Sequence, residues 1–316
     1  MPARGGRLFL SLPSRPASAF RADDMNHNMN HKTTRLALPK GRMQSGVLEL
    51  LTAAGVRVDL GERRYRPVIS VPGYGAKLLK PQNVVEMLHA GSRDVGFAGA
   101  DWVAELNGSL VELLDTGLDP VRVVAAAPTR IAGAGLRAAS RRLTVASEYT
   151  RLSSRWIEDR GLDATLVRSY GATEVFPPED ADVIVDNTAT GATLDANGLE
   201  IVDELMASST RLYANPRALE DPRHRERIED LVVVLKSVVE ARQRVMLEVN
   251  VDAARLDGLV AVLPCMRRPT VSRLHGEEGY AIRVAVLREA LPGLIPRVKA
   301  RGGTDLVVTT PGQIVA

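Results

Sequence analysis

Between residues 35 and 205 short apolar runs alternate with amphipathic stretches, and glycines punctuate them. The run 35–38 reads as a buried strand and 39–42 as a loop. Residues 43–54 read as a helix, because Val47, Leu48, Leu50 and Leu51 recur at helical spacing and Gly55 stops it. Further strands are predicted at 68–71, 95–97, 121–126, 143–146, 164–167 and 183–185. Helices are predicted from Pro81 to about His89, from Ala100-Asp101 onward, and over 149–160. Such alternation restricts the chain to α/β units with mainly parallel sheets. Residues 221–244 then read as one long charged helix with Ile228, Leu231, Val232, Leu235 and Val239 on one face. The last 70 residues change rhythm to strand, helix, strand, strand, helix, strand, the ferredoxin-like order.

The chain of 316 residues is long enough for two or three domains. Its apolar fraction of 45% and charged fraction of 25% exclude wholesale disorder. No run of about 20 apolar residues is present, so no membrane helix is expected. Lys and Arg number 41 against 38 Asp and Glu. Residues 1–32 hold five basic and two acidic groups and so account for the whole excess of three. The remainder is neutral, which argues against a nucleic-acid partner. The single Cys265 fits a reducing, cytoplasmic setting and excludes an internal disulfide. It reads as packing between Pro264 and Met266. The five His residues lack metal-ligand spacing. Residues 1–32 read as an extension to the fold, either a disordered tail behind a misassigned start or a targeting segment.

The chemistry concentrates in the stretch from Ala181 to Leu194. An apolar strand runs into Asp186, then Asn187, Thr188, Ala189, Thr190, Gly191, Ala192 and Thr193, and a helix begins. Backbone N–H groups at a strand-loop-helix junction bind anions, and the threonines add hydroxyls. A carboxylate beside a phosphate cradle suits a phosphorylated ribose. A helix start capped by Asp186 or Thr188 explains the same residues equally well. Lys40 and Arg42 follow the first strand, where they read either as phosphate contacts or as solvated loop charges. Lys80 precedes a helix, and Glu148-Tyr149 precedes another; each is a candidate nucleotide contact or an ordinary surface group.

The stretch Asp186, Thr190-Gly191, Thr193-Leu194, Asn197-Gly198-Leu199 resembles the phosphoribosyl-diphosphate loop of the ATP phosphoribosyltransferases, the first enzymes of histidine biosynthesis. Gly171-Ala-Thr-Glu174 is similar to the family's segment upstream of that loop. Four further blocks agree in order: Leu36 to Met43, Lys80-Pro81 with Asn83-Val84, Asp94 to Asp101, and Ser147 to Leu152. Asn83, Thr150 and Ala189 depart from the family pattern. The resemblance covers about residues 35–316.

This resemblance implies a two-lobed periplasmic-binding-protein-like catalytic part and a ferredoxin-like regulatory domain. Lobe one is expected at 33–121 and 206–243, lobe two at 122–205, and the regulatory domain at 245–316. The implied reaction joins N1 of ATP's adenine to C1 of phosphoribosyl diphosphate and releases diphosphate, with Mg²⁺ as cofactor. Asp186 is implied to hold the ribose hydroxyls, residues 188–193 the 5-phosphate, and Glu174 the ribose side, with Asn187 also in contact with phosphoribosyl diphosphate. Lys40 and Arg42 would balance phosphate charge, with Lys80, Glu148 and Tyr149 near the nucleotide. Histidine is the implied feedback inhibitor, at a segment that includes Thr270 and Ser272, in a homohexamer. The alternatives are a non-catalytic regulatory paralogue that keeps the fold, and a two-lobed small-molecule-binding protein.

Overall fold

The computed structural model describes residues 33–61, 65–276 and 278–315. The expected extension at 1–32 lies outside the described residues. In chain order, β1 (Thr34–Pro39), α1 (Met43–Ala53), β2 (Val58–Asp59), β3 (Val68–Ile69), β4 (Tyr74–Leu79), α2 (Pro81–His89), β5 (Val95–Gly99) and α3 (Ala100–Glu105) build one half of the catalytic part. Then β6 (Val111–Pro128), α4 (Thr129–Ala134), β7 (Leu143–Ser147), α5 (Thr150–Asp159), β8 (Ala164–Arg168), β9 (Val183–Thr188), α6 (Ala192–Ala196) and β10 (Leu199–Ala214) build the other and return to the first. Helix α7 (Pro222–Gln243) follows.

One eight-stranded sheet runs β4-β1-β5-β10-β6-β9-β7-β8. Strands β4, β1 and β5 are parallel to one another, as are β8, β7 and β9. Between the two sets lie β10 and β6, antiparallel to each other and to their outer neighbours. The sheet is therefore mixed: four of its seven pairings are parallel, as expected of the lobes, and the three central ones are antiparallel. Its two halves are two α/β lobes, joined by 18- and 16-residue crossover strands. The reading of 121–126 as a strand catches only the apolar end of β6. Its first part carries Glu112, Asp115, Gly117 and Asp119, and its pairing with β10 has five register shifts, spread from Ile201 to Tyr213. Strand β4 is not legible as a strand, since Tyr-Gly-Ala-Lys-Leu-Leu lacks alternation, yet it pairs with β1 over six residues.

Each lobe has its own core. In the first, Leu36, Leu38 and Phe97 of the sheet pack with Leu50 and Leu51 of α1 and with Ile228, Leu231 and Leu235 of α7. Helix α7 starts where Asp221 accepts a hydrogen bond from the Arg223 N–H at 2.9 Å, with Pro222 at its first position. In the second lobe Val123, Val145 and Val185 pack against Tyr149 and Trp156.

The chain ends in β11 (Arg244–Asp252), α8 (Leu256–Val260), β12 (Thr270–Arg273), β13 (Gly279–Leu287), α9 (Leu291–Ala300) and β14 (Thr304–Thr309). Their sheet order β12-β13-β11-β14 is the ferredoxin-like arrangement anticipated from the sequence. Along β11 the residues Val245, Leu247, Val249 and Val251 alternate inward and pack with Leu259, Leu294 and Val298 of the helices.

Candidate active site

Because β1, β4 and β5 are parallel, the loops after them leave at one edge of the first lobe. The segments that follow carry Lys40 and Arg42, Lys80 and, in the first turn of α3, Asp101. In the second lobe the ends of β7, β8 and β9 deliver Glu148-Tyr149, Glu174 and Asp186–Thr193 in the same way. Open α/β sheets bind ligands at this carboxyl edge.

Two adjoining cavities lie there. One, of about 310 Å³, is lined by Glu174, Asp186, Asn187, Thr188, Ala189, Thr190, Ala192 and Thr193, with Arg42 reaching in. The other, of about 280 Å³, is lined by Lys40, Arg42, Pro81, Asp101, Trp102 and the hydroxyl run Ser208-Ser209-Thr210 of β10, among others. Arg42 and Asn187 line both. They also touch, Arg42 Nη2 donating to Asn187 Oδ1 at 3.4 Å. Sequence reasoning did not single out Ser208–Thr210. A polar run inside a long strand looks like ordinary surface until the crossover brings it to the cleft floor. Asp101 stood in a matched block but had no role assigned.

The loop after β9 is shaped by its own hydroxyls. Thr188 Oγ1 accepts from the Gly191 N–H at 2.9 Å, and Thr190 Oγ1 accepts from the Ala192 N–H at 3.3 Å. Gly191 adopts φ +89°, a left-handed conformation that a side chain would resist. Thr188 is buried, whereas Ala189, Thr190, Ala192 and Thr193 are exposed to the cavity mouth.

Asp186 is partly buried, and burial pushes its carboxyl up to about 6. The nearby charges of Glu174 and Glu148 push in the same direction, while hydrogen bonds from the Asn187 N–H, 2.7 Å away, and from Thr173 oppose it. Glu148 thus sits on the side of Asp186. Neither it nor Lys80 lines either cavity; Lys80 is an exposed residue at the start of α2, beside Pro81. Lys40 places its Nζ 4.3 Å from the centre of the Tyr65 ring.

Tyr149 is buried between the lobes. Its ring stacks on Trp102 with centroids 4.8 Å apart, and its hydroxyl lies 2.6 Å from Asp101 Oδ2. Asn187 Nδ2 donates to the same hydroxyl at 3.0 Å. Asp101 Oδ1 in turn accepts from the Ser208 hydroxyl at 2.6 Å. Gly99 must remain side-chain-free for this arrangement, since a Cβ there would stand 2.2 Å from Asp101 Oδ1. One helical turn along α3, Glu105 accepts from the N–H groups of Arg151 and Leu152 at 2.9 Å and so caps α5 of the opposite lobe. Thr270 and Ser272 lie on β12, an exposed edge strand of the terminal domain, and belong to neither cavity.

A family model described as ATP phosphoribosyltransferase matches residues 80–237, and one described as HisG, C-terminal domain, matches residues 241–310. The ATP phosphoribosyltransferase of Pelotomaculum thermopropionicum is 33% identical over 280 residues, which is 86% of this chain and 96% of that protein. That of Chlorobium chlorochromatii is 34% identical over 281 residues, 87% of this chain and 95% of the relative. Among solved structures, a chain of the ATP phosphoribosyl transferase (HisG:HisZ) complex from Thermotoga maritima superposes with a TM-score of 0.59 at 28% identity. The match covers 66% of this chain and 99% of that one. With two α/β lobes meeting at a cleft lined by Lys40, Arg42 and hydroxyl side chains, and a ferredoxin-like domain following them in the chain, the chain belongs to the ATP phosphoribosyltransferase family.

Proposed function

We propose that the two adjoining cavities divide the two substrates of the phosphoribosyl transfer between them. The cavity at Asp186–Thr193 takes phosphoribosyl diphosphate, and the one between Lys40, Trp102 and Ser208–Thr210 takes ATP. The observation that carries this reading is the pair of cavities sharing only Arg42 and Asn187 at their boundary. A bimolecular displacement needs its reacting atoms to meet at such a boundary. In this scheme Asp186 accepts from the ribose hydroxyls, and Glu174 supports the same side. Thr188, Thr190, Thr193 and the rest of the loop over residues 188–193 hold the 5-phosphate. Lys40 and Arg42 balance the phosphates of the leaving group and the nucleotide, with Lys80 at the rim.

The chain is a pentosyltransferase. In its reaction the lone pair on adenine N1 forms the new bond to ribose C1. The bond from C1 to the diphosphate oxygen breaks, and its electron pair leaves with diphosphate. N1 needs no prior deprotonation, so no general base is required. The protein contributes alignment, exclusion of water, and charges placed for a sugar that becomes oxocarbenium-like.

Enzymes of this family use a divalent metal. Among the described residues no group of three or more His, Cys, Asp or Glu is arranged to hold a cation. The hard oxygen donors Asp186 and Glu174 face the cavity and crowd each other's charge. That donor set fits Mg²⁺ held mainly by substrate phosphates and water with one or two carboxylates. When bound it neutralises the leaving diphosphate.

The terminal domain supports regulation by free histidine at the exposed β12 strand, with Thr270 and Ser272 as contacts, in a hexameric assembly. The described helices include none long and apolar enough to cross a membrane.

The test is formation of the N1 adduct from ATP, phosphoribosyl diphosphate and Mg²⁺, followed by absorbance. Turnover is expected in the wild type. Arg42→Ala should reduce kcat/KM at least tenfold, by removing one charge-assisted contact worth about 1.5–3 kcal/mol. Unchanged kcat/KM in that variant refutes the shared-boundary role.

A further inference from the structure

The hydroxyl of Tyr149 lies between Asp101 Oδ2 at 2.6 Å and Asn187 Nδ2 at 3.0 Å. A carboxylate can only accept, so the phenolic proton points to Asp101. Burial holds the phenol's pKa well above its usual value, and the neighbouring Asp101 charge acts the same way, so that proton stays in place. The tyrosine oxygen is then an acceptor toward Asn187, and only the amide's NH₂ can satisfy it. This settles the orientation of Asn187: Nδ2 faces inward to Tyr149 and Asp186 Oδ1, and Oδ1 faces the boundary of the two cavities. There, among the described residues, the one hydrogen bond it receives is the long 3.4 Å contact from Arg42.

Asn187 also reaches further than Asp186, although the two side chains touch at 3.3 Å. Asp186 lines only the Asp186–Thr193 cavity, whereas Asn187 reaches the nucleotide side as well. A single fixed acceptor therefore stands where N1 of the adenine must approach the sugar. Next to N1 on the ring is C6 with its amino group, a pair of N–H donors.

We propose that Asn187 Oδ1, oriented by Tyr149 and Asp101, accepts a hydrogen bond from the 6-amino group of the attacking adenine. The contact is a specificity determinant and gains strength during the reaction. As N1 donates its lone pair to C1, positive charge spreads onto the 6-amino nitrogen and its N–H becomes a better donor. A neutral acceptor there binds the transition state more tightly than the ground state. A 6-oxo purine presents an acceptor at C6 and an N–H at N1, which opposes Oδ1 and leaves no lone pair to attack. Tyr149 acts as a positioning residue, since it lines neither cavity and reaches the base only through Asn187. The inference rests on the division of substrates proposed above.

The experiment compares ATP with purine riboside triphosphate, which keeps N1 and lacks the 6-amino group. For each enzyme the ratio of kcat/KM for the two nucleotides is measured, so that the different intrinsic basicity of N1 cancels between wild type and variant. Asn187→Leu, similar in size and without an acceptor, should lower the preference for ATP roughly five- to tenfold, chiefly in kcat. Tyr149→Phe keeps the ring on Trp102, frees the amide to turn, and should lower it by a smaller factor in the same direction. The ratio of Kd values by calorimetry gives a second reading should Asn187→Leu turn over too slowly to assay, and it should fall in the same direction. A ratio unchanged from wild type in Asn187→Leu overturns the inference, even where both rates fall. Absence of any transfer by the wild type overturns the division of substrates instead.

Discussion

Replacing Asp186 by Asn should make the protein more stable and less active, and the pH dependence of the stability gain identifies its cause. The carboxyl is raised from 3.8 to about 6, with burial as the largest contribution. At about 1.36 kcal/mol per pH unit, the ionised side chain costs the folded state about 3 kcal/mol near neutrality. Asparagine is isosteric and carries no charge to desolvate. It would weaken the 2.7 Å bond from the Asn187 N–H, a loss of roughly 1 kcal/mol. The net expectation is a gain of about 1–2 kcal/mol at pH 7.5, or about 2–4 °C in Tm for each kcal/mol.

The folded pKa lies above the unfolded one, so the folded state binds the proton more tightly. Wild-type stability attributable to this group is therefore greatest below about pH 4 and is lost as pH rises through about 6. The advantage of Asp186→Asn must run the other way. It is complete above about pH 7 and smaller by about 1–1.5 kcal/mol at pH 5. Urea denaturation at pH 7.5, 6 and 5 measures the gap directly. In the transfer assay the same variant should lose about a hundredfold in kcat/KM, because a charged acceptor for the ribose hydroxyls becomes neutral. A variant no more stable than wild type at pH 7.5, or a gap that does not change with pH, would refute the desolvation argument.

Glu105→Ala should destabilise the protein by about 1–3 kcal/mol in urea denaturation, because it uncaps α5 and leaves the part-buried Arg151 and Leu152 amides without their acceptor. A loss below about 0.5 kcal/mol would show that water replaces the carboxylate freely. The double variant Thr270→Ala and Ser272→Ala should raise the histidine concentration for half-inhibition at least fivefold with kcat/KM unaltered in its absence. An unshifted inhibition curve places the effector elsewhere.

The legible parts of the fold were those written locally. The terminal domain follows from period-two alternation in β11 and β13 and a helical pattern between turn residues, each readable in a window of ten residues. The lobes were legible as alternating strand and helix for the same reason. The crossover strands were not, because β6 and β10 are long, bulged and acidic in places, and their pairing joins residues 71 to 103 positions apart. Tertiary pairing, not local propensity, makes them strands. The site divides along the same line. Asp186, Thr190 and Arg42 sit on strand-end loops whose composition signals anion binding. Ser208–Thr210 and Asp101 become site residues only when β10 passes beside the end of β5. Tyr149, expected near the nucleotide, has its ring buried against Trp102 and its hydroxyl committed to Asp101 and Asn187.

The lobes meet through directional polar contacts at the cleft, and α3 supplies most of them. Asp101 and Glu105 are four residues apart on a six-residue helix and project from the same face. One reaches the Tyr149 hydroxyl and the other the first amides of α5, both in the opposite lobe. Such contacts fix the angle between the lobes to within the tolerance of a hydrogen bond. Water can replace them if the lobes part, whereas separating an apolar surface costs free energy in proportion to its area. A cleft that admits two charged substrates and then aligns N1 with C1 needs both properties. Placing carboxylates, a phenol and an amide at that junction, where aliphatic side chains would pack as well, is the arrangement that supplies them.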